Sequence, residues 1–257
     1  MRVIYLVAGL LAVVAIPSPA EAQRFGRGEG FPDDGNFEQF NVPYDGRFVF
    51  VRLRYDPLSS GFRRRNLWWD HDYPRAERHL TTILEELTTV VPRRDGSNIL
   101  AADDPELFKY PVAYLSEPGH WTMSESEMVN LRAYVLKGGF LIFDDFEGGD
   151  WYNFAEQVRR LLPEHQIVRL DPSHPIFHSF YDIDTFEGIR HPYSGRPSQF
   201  HGVFEDNDPT KRLLMIINYD ADIGESWEWS DTGFIPIDLT NQAYKLGINY
   251  IVYAMTH

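Results

Sequence analysis

The chain has 257 residues, 43% hydrophobic and 15% aromatic, enough for one α/β domain with a real core, which excludes global disorder. A formal net charge of −14 argues against nucleic acid or an anionic membrane surface as partner and leaves a cationic partner or a bound cation open. With no cysteine, the chain has no disulfide, no thiol nucleophile and no Cys-ligated metal site.

Arg2, an apolar run over residues 3–16, Pro17, Pro19 and the small-residue site Ala20-Glu21-Ala22 read as a secretory signal over residues 1–22. The run falls short of the about 20 residues a transmembrane helix needs. The mature protein is therefore expected in the periplasm or cell envelope. Membrane contact is expected only through a retained N-terminal segment or a membrane partner. Residues 23–46, rich in Gly, Asp, Asn and Pro, predict a flexible leader, and residues 47–257 the domain itself.

Residues 47–54 (RFVFVRLR) predict the first strand, with Val49, Val51 and Leu53 on one face and Phe48, Phe50, Arg52 and Arg54 on the other. A loop carrying Arg63-Arg64-Arg65 and Trp68-Trp69-Asp70-His71-Asp72 follows. Pro74 then opens a helix to about Thr88, striped by Ala76, Leu80, Ile83, Leu84 and Leu87. Asp104-Pro105-Glu106 starts a short helical turn, and residues 112–115 form a strand ending at Ser116. Ser124 and Glu127 make a capping box, with Met123 and Met128 as its staple and Met128, Leu131 and Val135 as the buried stripe. Gly138 stops that helix, and Gly139 leads into a strand over residues 140–143 that ends in Asp144 and Asp145. A further helix starts at Asp150 or Asn153. Short strands are expected at 167–170, at 203–204 on an edge, and at 213–217, before a closing helix over 238–256. Continuous apolar strands alternating with helices predict a mainly parallel sheet covered on both faces.

In such sheets ligands bind beyond the carboxyl ends of the strands. Glu117 and His120 follow one strand, Asp144, Asp145 and Glu147 the next, and Asp220, Asp222 and Glu225 the strand at 213–217. Glu117, His120 and Asp144 are the candidate catalytic residues, as acid, base or ligands. Asp144 and Asp145 alternate across the strand, so they cannot chelate one ion as a simple pair; either one faces the cleft while the other caps a loop, or both satisfy backbone N–H groups of the following turn. His120 with Asp144, and with Glu117 or Asp222, would suit Zn or Mn, but no metal-binding spacing is present, so neither a metal nor another cofactor is assigned. His174 and His178 read as turn and packing residues. WWDHDYP and ESWEW set tryptophans beside carboxylates. Trp68, Trp69, Asp70, Asp145, Asp222, Glu225, Trp227 and Glu228 are thus candidates for binding a small polar ligand or an envelope protein partner, with tryptophan packing as the plain structural alternative.

WWDHDYPRAERHL, ELFKYPVAYLSEPGHWTMSESEMVNLRAYVLKGGFLIFDDF, HPIFHSFYDI, DIGESWEW and AYKLGINYIVYAMTH, in that order, resemble a bacterial family known only as domain of unknown function 4159. The resemblance covers nearly all of residues 47–257. It implies a fold similar to class I glutamine amidotransferases, a flavodoxin-like three-layer α/β sandwich with a mainly parallel sheet, and it carries no established activity. In that comparison the amidotransferase cysteine falls near Asp144, and a carboxylate cannot replace a thiolate there. The expected function is an exported, amidotransferase-like domain without the cysteine nucleophile, serving as a binding or assembly module in the envelope. The alternatives are an envelope hydrolase of carbohydrate or a related substrate, using a carboxylate/histidine or metal site, and an accessory subunit of a membrane complex.

Overall fold

A computed structural model describes residues 37–58 and 67–257. The expected signal over 1–22, the start of the leader and the Arg63-Arg64-Arg65 loop lie outside the described residues.

The strands are β1 (Val51–Arg54), β2 (Asn98–Ala101), β3 (Val112–Ser116), β4 (Phe140–Asp144), β5 (Val168–Arg169), β6 (Gln199–Phe204) and β7 (Leu213–Tyr219). The helices are α1 (Arg75–Leu87), α2 (Glu125–Leu136), α3 (Trp151–Leu161), α4 (Ile223–Glu228) and α5 (Ile237–Thr256). All seven strands form one sheet in the order β2-β1-β3-β4-β7-β6-β5. The five from β2 to β7 are parallel, and β6 and β5 pair antiparallel at the far side.

The apolar pattern of the strands builds two cores. Val49, Val51, Leu53, Leu115, Leu141 and Phe143 face one way, under Leu131 and Val135 of α2 and Phe154 and Val158 of α3. Phe48, Phe50, Tyr114, Phe140 and Ile142 face the other, under Leu80 and Leu84 of α1, Trp227 of α4, and Leu246 and Ile251 of α5. The capping box of α2 forms as expected, with the Ser124 hydroxyl accepting from the Glu127 N–H and Glu127 accepting from the Ser124 N–H. Gly138 has φ +120, and a Cβ on Gly139 would lie 2.4 Å from the Tyr134 ring, so both glycines are required by the tight return into β4.

Some expectations are corrected. β6 is a six-residue strand inside the sheet rather than an edge at 203–204, because β5 pairs outside it. β2 and α4 have no counterpart in the sequence reading, each being too short to show a period. Leu87 is 47% exposed and leaves the α1 stripe. The last part of the leader docks on the β2 edge. Asn41 exchanges two hydrogen bonds with the Ile99 backbone, and Val42 two with the Asn98 side chain.

From β1 the chain runs out to β2, then crosses back to place β3 on the other side of β1. The carboxyl ends of β1 and β3 therefore form a topological switch point, where an open α/β sheet leaves a crevice. Among the described residues no helix is long and apolar enough to cross a membrane.

Candidate functional site

The crevice is floored by Arg52 of β1, which is fully buried. Its Nε donates to Glu77 Oε1 of α1 at 2.5 Å, and one terminal nitrogen donates to the Trp69 and His71 carbonyls at 2.9 and 2.8 Å. Burial opposes the Arg52 charge, but Glu77, Tyr114 and Asp72 together outweigh it, and the pKa is raised further. The guanidinium also lies 4.9 Å from the Tyr114 ring centre. A charge fixed in this way pins the 69–72 turn over the end of β1.

Four side chains reach the crevice from left-handed backbone. Trp68 (φ 60), Asp72 (φ 65), Glu117 (φ 52) and Asp145 (φ 63) are among seven non-glycine residues of positive φ in the described chain. Such positions are strained and concentrate at functional sites. Glu117 is held there by Tyr55, whose hydroxyl donates to the Ser116 and Glu117 carbonyls at 3.1 and 2.7 Å.

At the mouth, His71 Nδ1 lies 3.0 Å from Glu117 Oε1 and 3.5 Å from Asp145 Oδ2, each side chain about one-seventh exposed. Ser116 donates to the same Asp145 oxygen at 3.2 Å. Burial alone would lower the His71 pKa, but hydrogen bonds and charge from Asp145 and Glu117 outweigh it and raise it well above the usual value. Burial and the Asp145 charge push Glu117 up to about 8, against a smaller opposing pull from His71. His120 stacks on Trp68 with ring centres 3.8 Å apart, and its Nε2 is 3.9 Å from Glu117. Burial lowers the His120 pKa.

Deeper in lie Asp72, Asp222 and Glu225, all buried. Asp222 caps α4, accepting from the Glu225 N–H at 2.9 Å. Burial, then neighbouring carboxylates, raises Asp72 and Asp222 well above the carboxylate range and Glu225 to about 8. Glu228 is pushed to about 7, chiefly by burial.

The adjacent aspartates part company. Asp144 is fully buried in the Tyr114 face of the sheet. Its Oδ2 accepts from Tyr114 Oη and from the Ile223 and Gly224 N–H groups at 2.9–3.0 Å, and its Oδ1 from Asn218 Nδ2 at 3.2 Å. It caps backbone, at α4. Burial and the Asp145 charge hold its pKa near 6. Asp145 faces the crevice. Of the three catalytic candidates, Glu117 and His120 thus meet at the mouth, while Asp144 lies behind it with its oxygens committed.

Of the binding candidates, Asp145, Asp222 and Glu225 join the cluster, and Trp68 walls it. Trp69 is 2% and Trp227 1% exposed; both are core. Asp70 is half-buried in the 69–72 turn, and its charge reaches the Tyr55 hydroxyl. Asp220 lies apart, accepting from Gly148 N–H and Gln199 Nε2. His174 and His178 are turn residues, His174 accepting from the Ile176 N–H and His178 pairing with Asp182.

His71, Asp72 and His191 complete the cluster, and sequence reasoning did not select them. For the first two the signal was present, the run Asp70-His71-Asp72 between a tryptophan pair and Tyr73-Pro74. For His191 there was none, since it comes from a loop far along the chain. Three sets have ligand atoms mutually within 4.8 Å: His71, Glu117 and Asp145; Asp145, His191 and Asp222; Asp72, Asp222 and Glu225. The Tyr193 and Ser194 N–H groups point at His191 Nδ1, at 3.2 and 3.3 Å, which keeps its proton on Nε2 and makes that nitrogen a donor rather than a ligand. The expected grouping of His120 with Asp144 does not recur in these sets. A separate surface cleft is lined by Tyr73, Arg78, Arg93, Arg94 and Ser97, with Arg93 paired to Asp45 and Asp95 and Arg94 to Glu85.

Such an arrangement can hold a proton on one carboxyl beside an ionised partner, or hold a cation. Comparison with curated proteins gives no match. Residues 49–255, nearly the whole described domain, match the family model for a domain of unknown function, DUF4159, and the chain belongs to that family.

Proposed function

We propose that the protein is a hydrolase of the cell envelope, acting on carbohydrate or a related polar substrate, with Glu117 as general acid and Asp145 as its carboxylate partner. The observation that carries this is the convergence of Glu117, His71 and Asp145 at the switch point, with Glu117 pushed to about 8 by burial and the Asp145 charge. A carboxyl still protonated at neutral pH beside a second carboxylate is the arrangement that divides acid from base roles. His71 holds the two in place, and the stacked Trp68–His120 pair supplies the flat wall that sugar rings favour. The strand–loop–helix–strand order from β3 to β4 supports an amidotransferase-like, flavodoxin-like assignment in which this crevice replaces the thiol chemistry. Chromogenic glycosides and esters tested with wild type, Glu117→Gln and Asp145→Asn are the assay. Each variant is expected to lose about 100-fold or more of the turnover. Turnover unaffected by both substitutions would refute the assignment.

The second reading, a binding or assembly module, free-standing or as an accessory subunit of a membrane complex, is favoured by one observation. Val129 and Leu136, seven residues apart on α2, are 63% and 48% exposed, with Phe108 exposed beside Tyr134 of the same helix. Recovery of the native protein from envelope extracts without any partner would count against it.

A further inference from the structure

We propose that the deep end of the crevice binds one hard divalent cation, with the Asp72, Asp222 and Glu225 carboxylates as its ligands. Their ligand atoms lie within 4.8 Å of one another. That spread suits oxygens placed about 2.0–2.6 Å from a single ion of the Mg2+, Mn2+ or Ca2+ type. An all-oxygen set selects these ions over zinc, for which the His71 set would be the better match.

Acidic residues alone make no site, and two further observations point to a ligand. Asp72 is 8% and Glu225 3% exposed, yet Asp72 Oδ2 and Glu225 Oε1 have no hydrogen-bond partner. Most oxygens so deeply buried are satisfied, and here the two unpartnered ones lie together in one carboxylate set, whereas Glu77 Oε2 belongs to a residue paired with Arg52. The approach of Asp72 to α4 is also built in, since a Cβ on Gly224 would lie 2.4 Å from Asp72 Oδ2. Only glycine at that position leaves the carboxylate room.

Of the neighbouring positive charges, Arg75 pairs with Asp231 and His71 with Glu117 and Asp145, while Arg52 pairs with Glu77 through Nε and also attracts Asp72 through space without a hydrogen bond to it. Among the described residues no ion pair reaches any of the three carboxylates. The competing occupant is a proton shared by Asp72 and Glu225, whose carboxyl groups face each other.

The test uses the whole protein, stripped with EDTA and titrated with CaCl2, MgCl2 and MnCl2 by calorimetry at fixed ionic strength, with Tm followed in parallel. Saturable binding of one ion below about 1 mM, with a rise in Tm, is expected. Glu225→Gln and Asp222→Asn should each weaken it about tenfold or more, because ligand charge sets affinity. Both variants should fold, since asparagine still caps α4. Glu117→Gln, which removes a neighbouring charge but no ligand, should weaken it less than either ligand variant. Absence of saturable binding, or full affinity in both ligand variants, would leave the shared proton as occupant and overturn the proposal. Loss of binding in Glu117→Gln but not in Glu225→Gln would place the ion in the His71 set and overturn it equally. The inference stands apart from hydrolysis: cation binding without turnover refutes the hydrolase and not this site, and turnover without cation binding does the reverse.

Discussion

Replacing Asp144 by alanine and Asp145 by asparagine should have consequences of very different size, although the residues are neighbours with the same chemistry. Asp144→Ala strands four buried donors, the Tyr114 hydroxyl, the Ile223 and Gly224 N–H groups and the Asn218 amide. Each unsatisfied donor costs about 1–3 kcal/mol, so the gross loss is about 8 kcal/mol. Against this stands the cost of keeping Asp144 ionised. Its pKa is raised from 3.8 to about 6, and the charge that alanine removes was unfavourable by roughly 3 kcal/mol. A net loss of about 3–5 kcal/mol remains once rearrangement is allowed. Asp145→Asn gives up part of one 3.2 Å hydrogen bond from Ser116 and a 3.5 Å contact with His71. It also removes a charge that raises Glu117, Asp144, Asp222 and Glu225 together. Asparagine tolerates the left-handed backbone at this position. Its net effect should stay within about 1 kcal/mol. Urea unfolding at pH 7 in EDTA, with m-values compared, measures both. An Asp144→Ala loss under about 1 kcal/mol, or a greater loss in Asp145→Asn, would refute the division of labour between the two.

Arg52→Met leaves Glu77 buried without its partner and should cost about 3–5 kcal/mol, whereas Arg52→Met with Glu77→Leu should recover only the part owed to the unpaired Glu77, because the Trp69 and His71 carbonyls stay without their donor, as a double-mutant cycle in urea would show. Glu117, Glu228 and Asp144 have folded pKa values of about 8, 7 and 6, all raised, so the folded chain holds protons that the unfolded chain has released. Their contribution to stability in EDTA should therefore be fullest below pH 4 and be lost as pH rises to about 8, opposite in sign to that of His174 and His201, whose pKa values are lowered to about 4; Glu117→Gln should flatten the pH dependence between 5 and 8 in urea, and an unchanged slope would contradict the burial of Glu117. Glu117→Gly should be more stable than Glu117→Ala by about 1 kcal/mol, because φ 52 is strained for alanine and not for glycine, and equal stabilities would show the backbone there to be relaxed.

The fold was legible where a period or a cap is long enough to read. RFVFVRLR announced two apolar faces, and both cores receive them. Ser124 with Glu127 announced the start of α2, and Gly138 its end. β2, four residues long, and α4, six, are set by tertiary packing rather than by their own pattern. The candidate site was legible by position more than by residue. Strand ends pointed to Glu117, Asp145, Asp222 and Glu225, and alternation showed that Asp144 and Asp145 must diverge. Which of the two faces the crevice depends on Tyr114, Asn218 and the turn into α4 meeting from three distant segments. His71 and Asp72 were quoted within an aromatic motif and passed over, because their role depends on Arg52, a strand residue whose side chain is buried instead of solvated.

That burial has a consequence for how the crevice is held. Trp68 and Glu117 occupy left-handed backbone where glycine or asparagine would relieve strain of about 1–2 kcal/mol each. A sequence shaped for stability alone would relax both. Here each is fixed by a contact directed at the crevice, Glu117 by the Tyr55 hydroxyl beneath it and Trp68 by its stack on His120. Arg52 fixes the intervening turn through two carbonyls rather than through hydrogen bonds to the site carboxylates, so it orients His71 and Asp72 while offsetting only part of the Asp72 charge. Backbone strain and like-charge crowding therefore meet at the same few residues, while the opposite charges of Arg52 and Glu77 below them pair. Packing requirements would distribute such costs across the core; their concentration at one strand-end crevice is what a ligand site requires.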